Sequence, residues 1–390
     1  MSSDATTTTR PTSVRSLVVI GVVLSLAAML LGSVRFARYD WFPVQLDRAP
    51  LTAERQVGPD CLEQIRPYTT ESGREIAPVV VDEQQYMDLV QYYRGVDRAD
   101  LSSVCLYDPF TNRSGMSWIA HWWPVEEGLA LGLTNIVMLL AGLWLTLLAL
   151  RAQGLGPQAV AAAGAIYTVS WNVFFFGSGV LIETGVVAAI ALCWYLLVSR
   201  RVWWIWPILL LGYPLKETIG IMVPVLWAWS WKEYRSGRSS LAPAAMPAAA
   251  GTVAFVVGVA VWRGLLPQAD ASWEVTPDLD DIFNNLGDVV SLASFAVGVL
   301  PFLIPSFLRW RQLARTSGWI DATLEPAVVG VVIALGICGW SFITVDLTPR
   351  LFWIAFPFAA TLTAQWCSEG RAAEWLDRLP WPVSLRSGTQ

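Results

Sequence analysis

The chain has 390 residues, of which 55% are hydrophobic and 15% charged, and its formal net charge is −5. A soluble domain carries about 25% charged residues, so the composition belongs to an integral membrane protein. The basic residues are scattered rather than interleaved with aromatics in one patch, so no nucleic-acid partner is expected. The first apolar run, SLVVIGVVLSLAAMLLGSV (16–34), is long enough to cross a bilayer. It lacks a small-residue cleavage site and reads as a retained anchor. A long mixed segment, 36–125, follows. Further apolar segments lie at 126–150, 157–173, 179–199, 202–215, 217–231, 243–263, 288–308, 325–345 and 350–367. With the first they make about ten spans of roughly 20 residues. The fifth and sixth are short and meet at the polar break Lys216-Glu217-Thr218.

Basic residues recur at every second junction. Arg10 and Arg15 precede the first span, and Arg151, Arg200, Arg201, Lys232, Arg235, Arg238, Arg309, Arg311, Arg315, Arg371 and Arg378 follow the even-numbered ones. The positive-inside rule then places both termini in the cytoplasm and segment 36–125 outside. The expected architecture is an all-α polytopic membrane protein. It has a cytoplasmic tail (1–15), a membrane domain (16–367) whose large external first loop carries short helices, and an interfacial cytoplasmic tail (368–390). Of the five cysteines, Cys61 and Cys105 both fall in the external loop and are a disulfide candidate. Most of the 22 tryptophans, among them Trp118, Trp122, Trp123, Trp203, Trp204 and Trp206, read as interfacial anchors.

Ionisable groups in or beside membrane spans are expensive, so each is a candidate for function. The loop stretch VVVDEQQYMDLVQYYRG (79–95) sets Asp82, Tyr86, Leu89 and Tyr93 on one helical face. Asp82 followed by Gln85 also fits a capping box, the structural reading that residue spacing alone favours. Lys216 and Glu217 follow Pro214 at the helix break. Breaks at membrane depth are tolerated where they line a cavity or are buried in protein. Glu183, in GVLIETG, is placed near the same side, and a lysine there suits a phosphate. Asp346 and Arg350 flank the last external turn, where a guanidinium fork suits a phosphate at headgroup depth. Arg113 in DPFTNRSG is a further anion contact. His121 in SWIAHWWP is the single histidine, and reads as structural before it reads as an acid or base. The acidic DLDD (278–281) reads as a solvated loop before a divalent-ion site.

Four of these features, in this order, make the chain resemble the GT-C superfamily of multi-span glycosyltransferases that use polyprenyl-phosphate sugars. They are the long loop after span one with D-x-x-x-Y (Asp82, Tyr86), its continuation DPFTNRSGMSWIAHWWP into a span, K-E-T at a helix break (Lys216, Glu217, Thr218), and D-x-x-x-R before a proline-containing span (Asp346, Arg350, Pro357). The resemblance implies a carboxylate base toward the acceptor, Asp82 with Glu83 as its nearest substitute. It implies Lys216 and Arg350 on the lipid phosphate and Tyr86 at the acceptor or sugar pocket, and an inverting displacement. The chain departs from the pattern in carrying Glu83 where many small members have glycine, and in lacking their larger relatives' soluble C-terminal domain. Such chemistry needs no cofactor, and a divalent metal is not indicated. The implied partners are a polyprenyl-phosphate-sugar donor, an extracytoplasmic glycan, lipid or protein acceptor, and membrane lipids, with the active site on the outer side of a bacterial-type cytoplasmic membrane. Two other classes fit parts of the pattern. A lipid or solute transporter or flippase would explain the helix break, and a non-catalytic subunit of an envelope-assembly complex would explain the tryptophan-rich surface.

Overall fold

The computed structural model describes residues 11–40, 55–58, 61–63, 68–69, 75–76, 81–98, 101, 106–177, 179, 181–269, 271–272, 277, 279–344 and 348–368. Asp346, Cys105 and the tail from 369 lie outside these residues, as does the Cys61 side chain, so the expected disulfide, the Asp346 reading and the interfacial tail do too.

The described residues are dominated by helices. In chain order these are α1 (Val14–Asp40), α2 (Val81–Tyr93), α3 (Gly115–Ala120), α4 (Glu127–Ala152), α5 (Pro157–Thr168), α6 (Trp171–Phe176), α7 (Glu183–Val198), α8 (Ile205–Leu211), α9 (Met222–Arg235), α10 (Leu241–Leu265), α11 (Leu279–Gly287), α12 (Val289–Ser317), α13 (Trp319–Thr323), α14 (Pro326–Thr344) and α15 (Phe356–Ser368). Five of them, α1 from Val14 to Gly32 together with α4, α10, α12 and α14, are long and apolar enough to cross a membrane. The protein is therefore an all-α membrane protein. The remaining expected segments are shorter: 179–199 holds the single helix α7, and the others are built from pieces. Segment 157–173 is α5 broken at Ser170, whose side chain caps α6, and 350–367 is a 3-10 turn (Pro349–Ala355) running into α15.

The first loop carries short strands as well as the expected short helices. Short antiparallel strands pair Arg55–Gly58 with Cys61–Glu63 and Tyr68–Thr69 with Glu75–Ile76. A parallel pair joins Tyr107–Asp108 to Ala271–Ser272, so the first loop is tied to the segment after α10.

Burial sorts the helices. A helix apolar on every side belongs in the interior, and α7 is such a helix, with most of its residues buried. By contrast α1, α10 and α12 leave Val22, Leu26, Leu30, Val253, Val256, Val297 and Leu300 exposed, as lipid-facing surfaces do. The buried α4 packs on α7 through Asn135, whose amide nitrogen donates to the carbonyls of Gly179 and Leu181 (2.6 Å to the latter) and whose oxygen bonds the Thr184 hydroxyl. This fixes the loop that launches α7. Phe302, Phe356 and Tyr167 interlock α12, α15 and α5, and the Trp194 indole donates to Thr361 at 2.9 Å. The helix ends that carry charge are thereby held in place.

Candidate active site

Helix α2 is pinned at both ends, which is what makes its first turn a fixed platform. Near its C-terminus Arg94 donates to the Glu127 carboxylate (2.9 Å) and to the carbonyls of Trp123 (2.8 Å) and Val125 (2.6 Å), so α2 is bolted to the start of α4. In its middle the Tyr86 carbonyl accepts from Ser117 of α3 at 2.9 Å, and the Tyr86 ring stands edge-on to Phe110 at 5.5 Å. Further along, Tyr93 and Ser114 share a hydroxyl hydrogen bond of 2.7 Å.

Helix α3 is in turn docked on the chain break. The Gly115 amide donates to the Pro214 carbonyl at 2.8 Å. Residue 115 has to be glycine, since a Cβ there would lie 2.8 Å from that same carbonyl oxygen. This close approach brings the first loop onto the Lys216-Glu217 turn that interrupts the chain between α8 and α9.

What converges there is an ionic network drawn from five parts of the chain. Arg350, in the 3-10 turn before α15, meets Asp82 of α2 at 2.8 Å and Glu183 at the start of α7 at 3.9 Å. Lys216 donates to the same Glu183 oxygen at 2.8 Å. Arg113 grips Glu217 with both edges of its fork, at 2.8 and 2.5 Å. Tyr86 is fully enclosed among these groups, close enough to feel the charges of Arg113, Asp82, Glu183 and Arg350. Burial pushes its phenol well above the ordinary range, with the field of Arg113 opposing, so Tyr86 stays a neutral hydroxyl. Burial acts to lower the Arg113 guanidinium, but Glu217, Tyr86 and Asp82 together oppose it and the net shift is upward.

The network is layered. The Lys216–Glu183 pair is sealed, its side chains 5% and 3% exposed. The pairs on either side of it are open: Asp82 and Arg350 are 13% and 23% exposed, and Glu217 is 42%. Glu183 Oε2 is buried with no hydrogen-bond partner, an unsatisfied acceptor next to two cations. Asp82, Glu183 and Glu217 balance Lys216, Arg113 and Arg350, so the assembly carries no formal net charge.

Seven residues singled out from the sequence therefore meet at one place: Asp82, Tyr86, Arg113, Glu183, Lys216, Glu217 and Arg350. The capping role expected for Asp82 is not the one it takes. Helix α2 begins one residue earlier, at Val81, and the Asp82 carboxylate is turned to Arg350. Glu83 follows it on the helix. Adjacent helical residues diverge by about 100°, and Glu83 is buried on another face of α2. His121 is engaged elsewhere, with its ring against Trp122 (4.6 Å), Trp118 and Tyr93 and its Nδ1 at the Trp118 carbonyl. Among the described residues no three His, Cys, Asp or Glu side chains are grouped as metal ligands.

The residues that hold the site from behind, Asn135, Gly115, Ser117 and Arg94, are not among those singled out from the sequence. Asn135 carried a usable signal, a lone amide within an apolar span. Gly115, Ser117 and Arg94 carried none, because their partners are set only by the tertiary packing. No family description, no curated protein and no solved structure matches this chain.

Proposed function

We propose that the protein is a membrane glycosyltransferase that moves a sugar from a polyprenyl-phosphate donor to an acceptor hydroxyl, with Asp82 as the base. The observation that supports it most is the meeting of Asp82, from the first loop, with Arg350 and with the buried Lys216–Glu183 pair. One patch thus holds a carboxylate able to take a proton and cations able to hold a phosphate. The acceptor oxygen bonds to the anomeric carbon while its proton passes to Asp82. The bond from that carbon to the phosphate oxygen breaks, and its electron pair leaves with the phosphate. A positioned carboxylate contributes about 10²–10⁴-fold to such a step. Arg350 stabilises the charge that grows on the leaving group directly, and the positive charge of Lys216 adds to the field from behind it. A single displacement inverts the anomeric centre. The neutral Tyr86 hydroxyl orients the sugar or acceptor.

This reading keeps ten spans, both termini in the cytoplasm and the site on the extracytoplasmic face. The five long apolar helices and the shorter ones between them supply segments at every expected position. The acceptor class is a glycan, lipid or protein bearing a free hydroxyl. The complete mutual pairing of the charges favours one other reading, a non-catalytic subunit in which the network only fixes the fold.

The test is transfer of labelled sugar by the full chain, reconstituted in lipid, from a panel of polyprenyl-phosphate donors. The reading expects transfer from at least one donor by the wild type and its loss in Lys216→Ala. Donor binding without turnover across the whole panel would move the assignment to the subunit reading.

A further inference from the structure

The Asp82–Arg350 contact poses a difficulty for a base. The carboxylate lies 2.8 Å from a guanidinium, so the oxygen that would take the acceptor's proton is occupied by another partner. The same guanidinium is the group best placed to receive a phosphate. Its alternative partner, Glu183, lies at 3.9 Å and is engaged by Lys216. The network is also neutral overall, with each carboxylate set against a cation, so it offers an incoming anion little long-range attraction. An anion gains a strong contact here only by displacing a carboxylate. The Lys216–Glu183 pair is sealed, whereas Asp82–Arg350 is open to the surface. Glu217, the other open carboxylate, is held by two hydrogen bonds from Arg113. Asp82 meets Arg350 at 2.8 Å, and both side chains reach solvent in part.

We propose that Arg350 is an anion-operated latch on Asp82: a phosphate ester that binds Arg350 displaces the Asp82 carboxylate and frees it to act as base. The inference rests on the glycosyltransferase reading for its consequence, but not for its test. The consequence is a compulsory order, with the phosphate-bearing donor binding before the acceptor is deprotonated. Without a donor the latch stays closed. Asp82 then takes no proton from an acceptor that arrives first.

Competition for one guanidinium has a signature that a purely structural or purely catalytic Asp82 lacks. Removing the competitor must tighten anion binding, and the gain must vanish when Arg350 is gone. The measurement is equilibrium binding of radiolabelled farnesyl monophosphate to the full chain in detergent. Wild type, Asp82→Asn, Arg350→Gln and the double variant form a cycle. The latch predicts that Asp82→Asn binds the probe at least about fivefold more tightly than wild type, within the usual span of coupled sites. It predicts that Asp82→Asn changes affinity less than about twofold in the Arg350→Gln background, since no guanidinium remains to compete for. Arg350→Met, which also removes the cation and keeps a long side chain, serves the same arm if Arg350→Gln does not fold. Unchanged or weaker binding by Asp82→Asn overturns the latch. So does an equal gain in both backgrounds, which would be general relief of repulsion. If the probe binds none of the four proteins the latch also falls. Sugar transfer by the wild type then tells the two failures apart: transfer present sinks the latch alone, and transfer absent from every donor sinks the glycosyltransferase reading with it.

Discussion

Two ionic clusters use the same residue types in opposite ways. At the Asp82 cluster the central pair, Lys216–Glu183, is almost wholly withdrawn from solvent. At the Glu233 cluster, by the C-terminal end of α9, a buried carboxylate accepts Arg200 at 2.9 Å and Arg238 at 3.0 Å. Both arginines remain more than half exposed, 58% and 54%. Neighbouring pairs there, Lys232–Glu325 and Arg235–Asp321, are likewise open. Exposed pairs contribute roughly 0–1 kcal/mol and are screened by salt. A buried pair carries a desolvation cost of several kcal/mol per ion, and is weak evidence for stability as such. The lesson of the contrast is that the Glu233 cluster is what a charged membrane-protein surface forms by default. The Asp82 cluster is an expensive arrangement, and expense at a membrane helix break points to use.

The largest effect should come from breaking the sealed pair on one side only. Glu183→Leu leaves Lys216 buried without a partner, and should destabilise the protein by about 3–5 kcal/mol, read as lowered thermal unfolding in detergent. Removing both charges sharpens the point. Glu183→Leu with Lys216→Met should recover most of that loss while leaving no transfer activity, because a buried pair replaced by apolar groups is often neutral or stabilising. Next in size is Asn135→Ala, which frees the Gly179 and Leu181 carbonyls that launch α7. It should lose about 1–3 kcal/mol and raise protease sensitivity around 177–183. Smaller still is Arg113→Gln, which releases Glu217, a group already two-fifths exposed. About 1 kcal/mol is expected after solvent screening, in the same unfolding assay. Glu233→Gln should be the mildest, within about 1 kcal/mol of wild type and with that difference shrinking as salt is raised. A Glu233→Gln loss as large as that of Glu183→Leu would erase the contrast between the clusters.

Much of this contrast was legible in the sequence, because both halves of it follow from hydropathy. Lys216, Glu217 and Glu183 stand out as ionisable groups in apolar surroundings. Arg200, Arg238 and Lys232 stand out as junction charges. The positions of α4, α10, α12 and α14 follow from apolar length in the same way. Local reading went wrong at Asp82. Its spacing to Gln85 suited a helix cap, and nothing within a few residues reveals that Arg350, 268 positions away, would claim the carboxylate. The short strand pairs of the first loop were missed because segments of two to four residues leave no periodicity to read. Gly115 shows the limit most plainly. Its sequence context is ordinary, and its need to be glycine comes entirely from the Pro214 carbonyl packed against it.

The most direct test of the account sets Asp82→Asn beside Glu83→Gln in the reconstituted sugar-transfer assay, with folding of both checked by thermal unfolding. The account predicts that Asp82→Asn lowers turnover by about 10²-fold or more, while Glu83→Gln, altered on a different face of α2, keeps turnover within a few-fold of wild type wherever it folds. Full activity in a folded Asp82→Asn protein, or loss confined to Glu83→Gln, would contradict the assignment of Asp82 as the base.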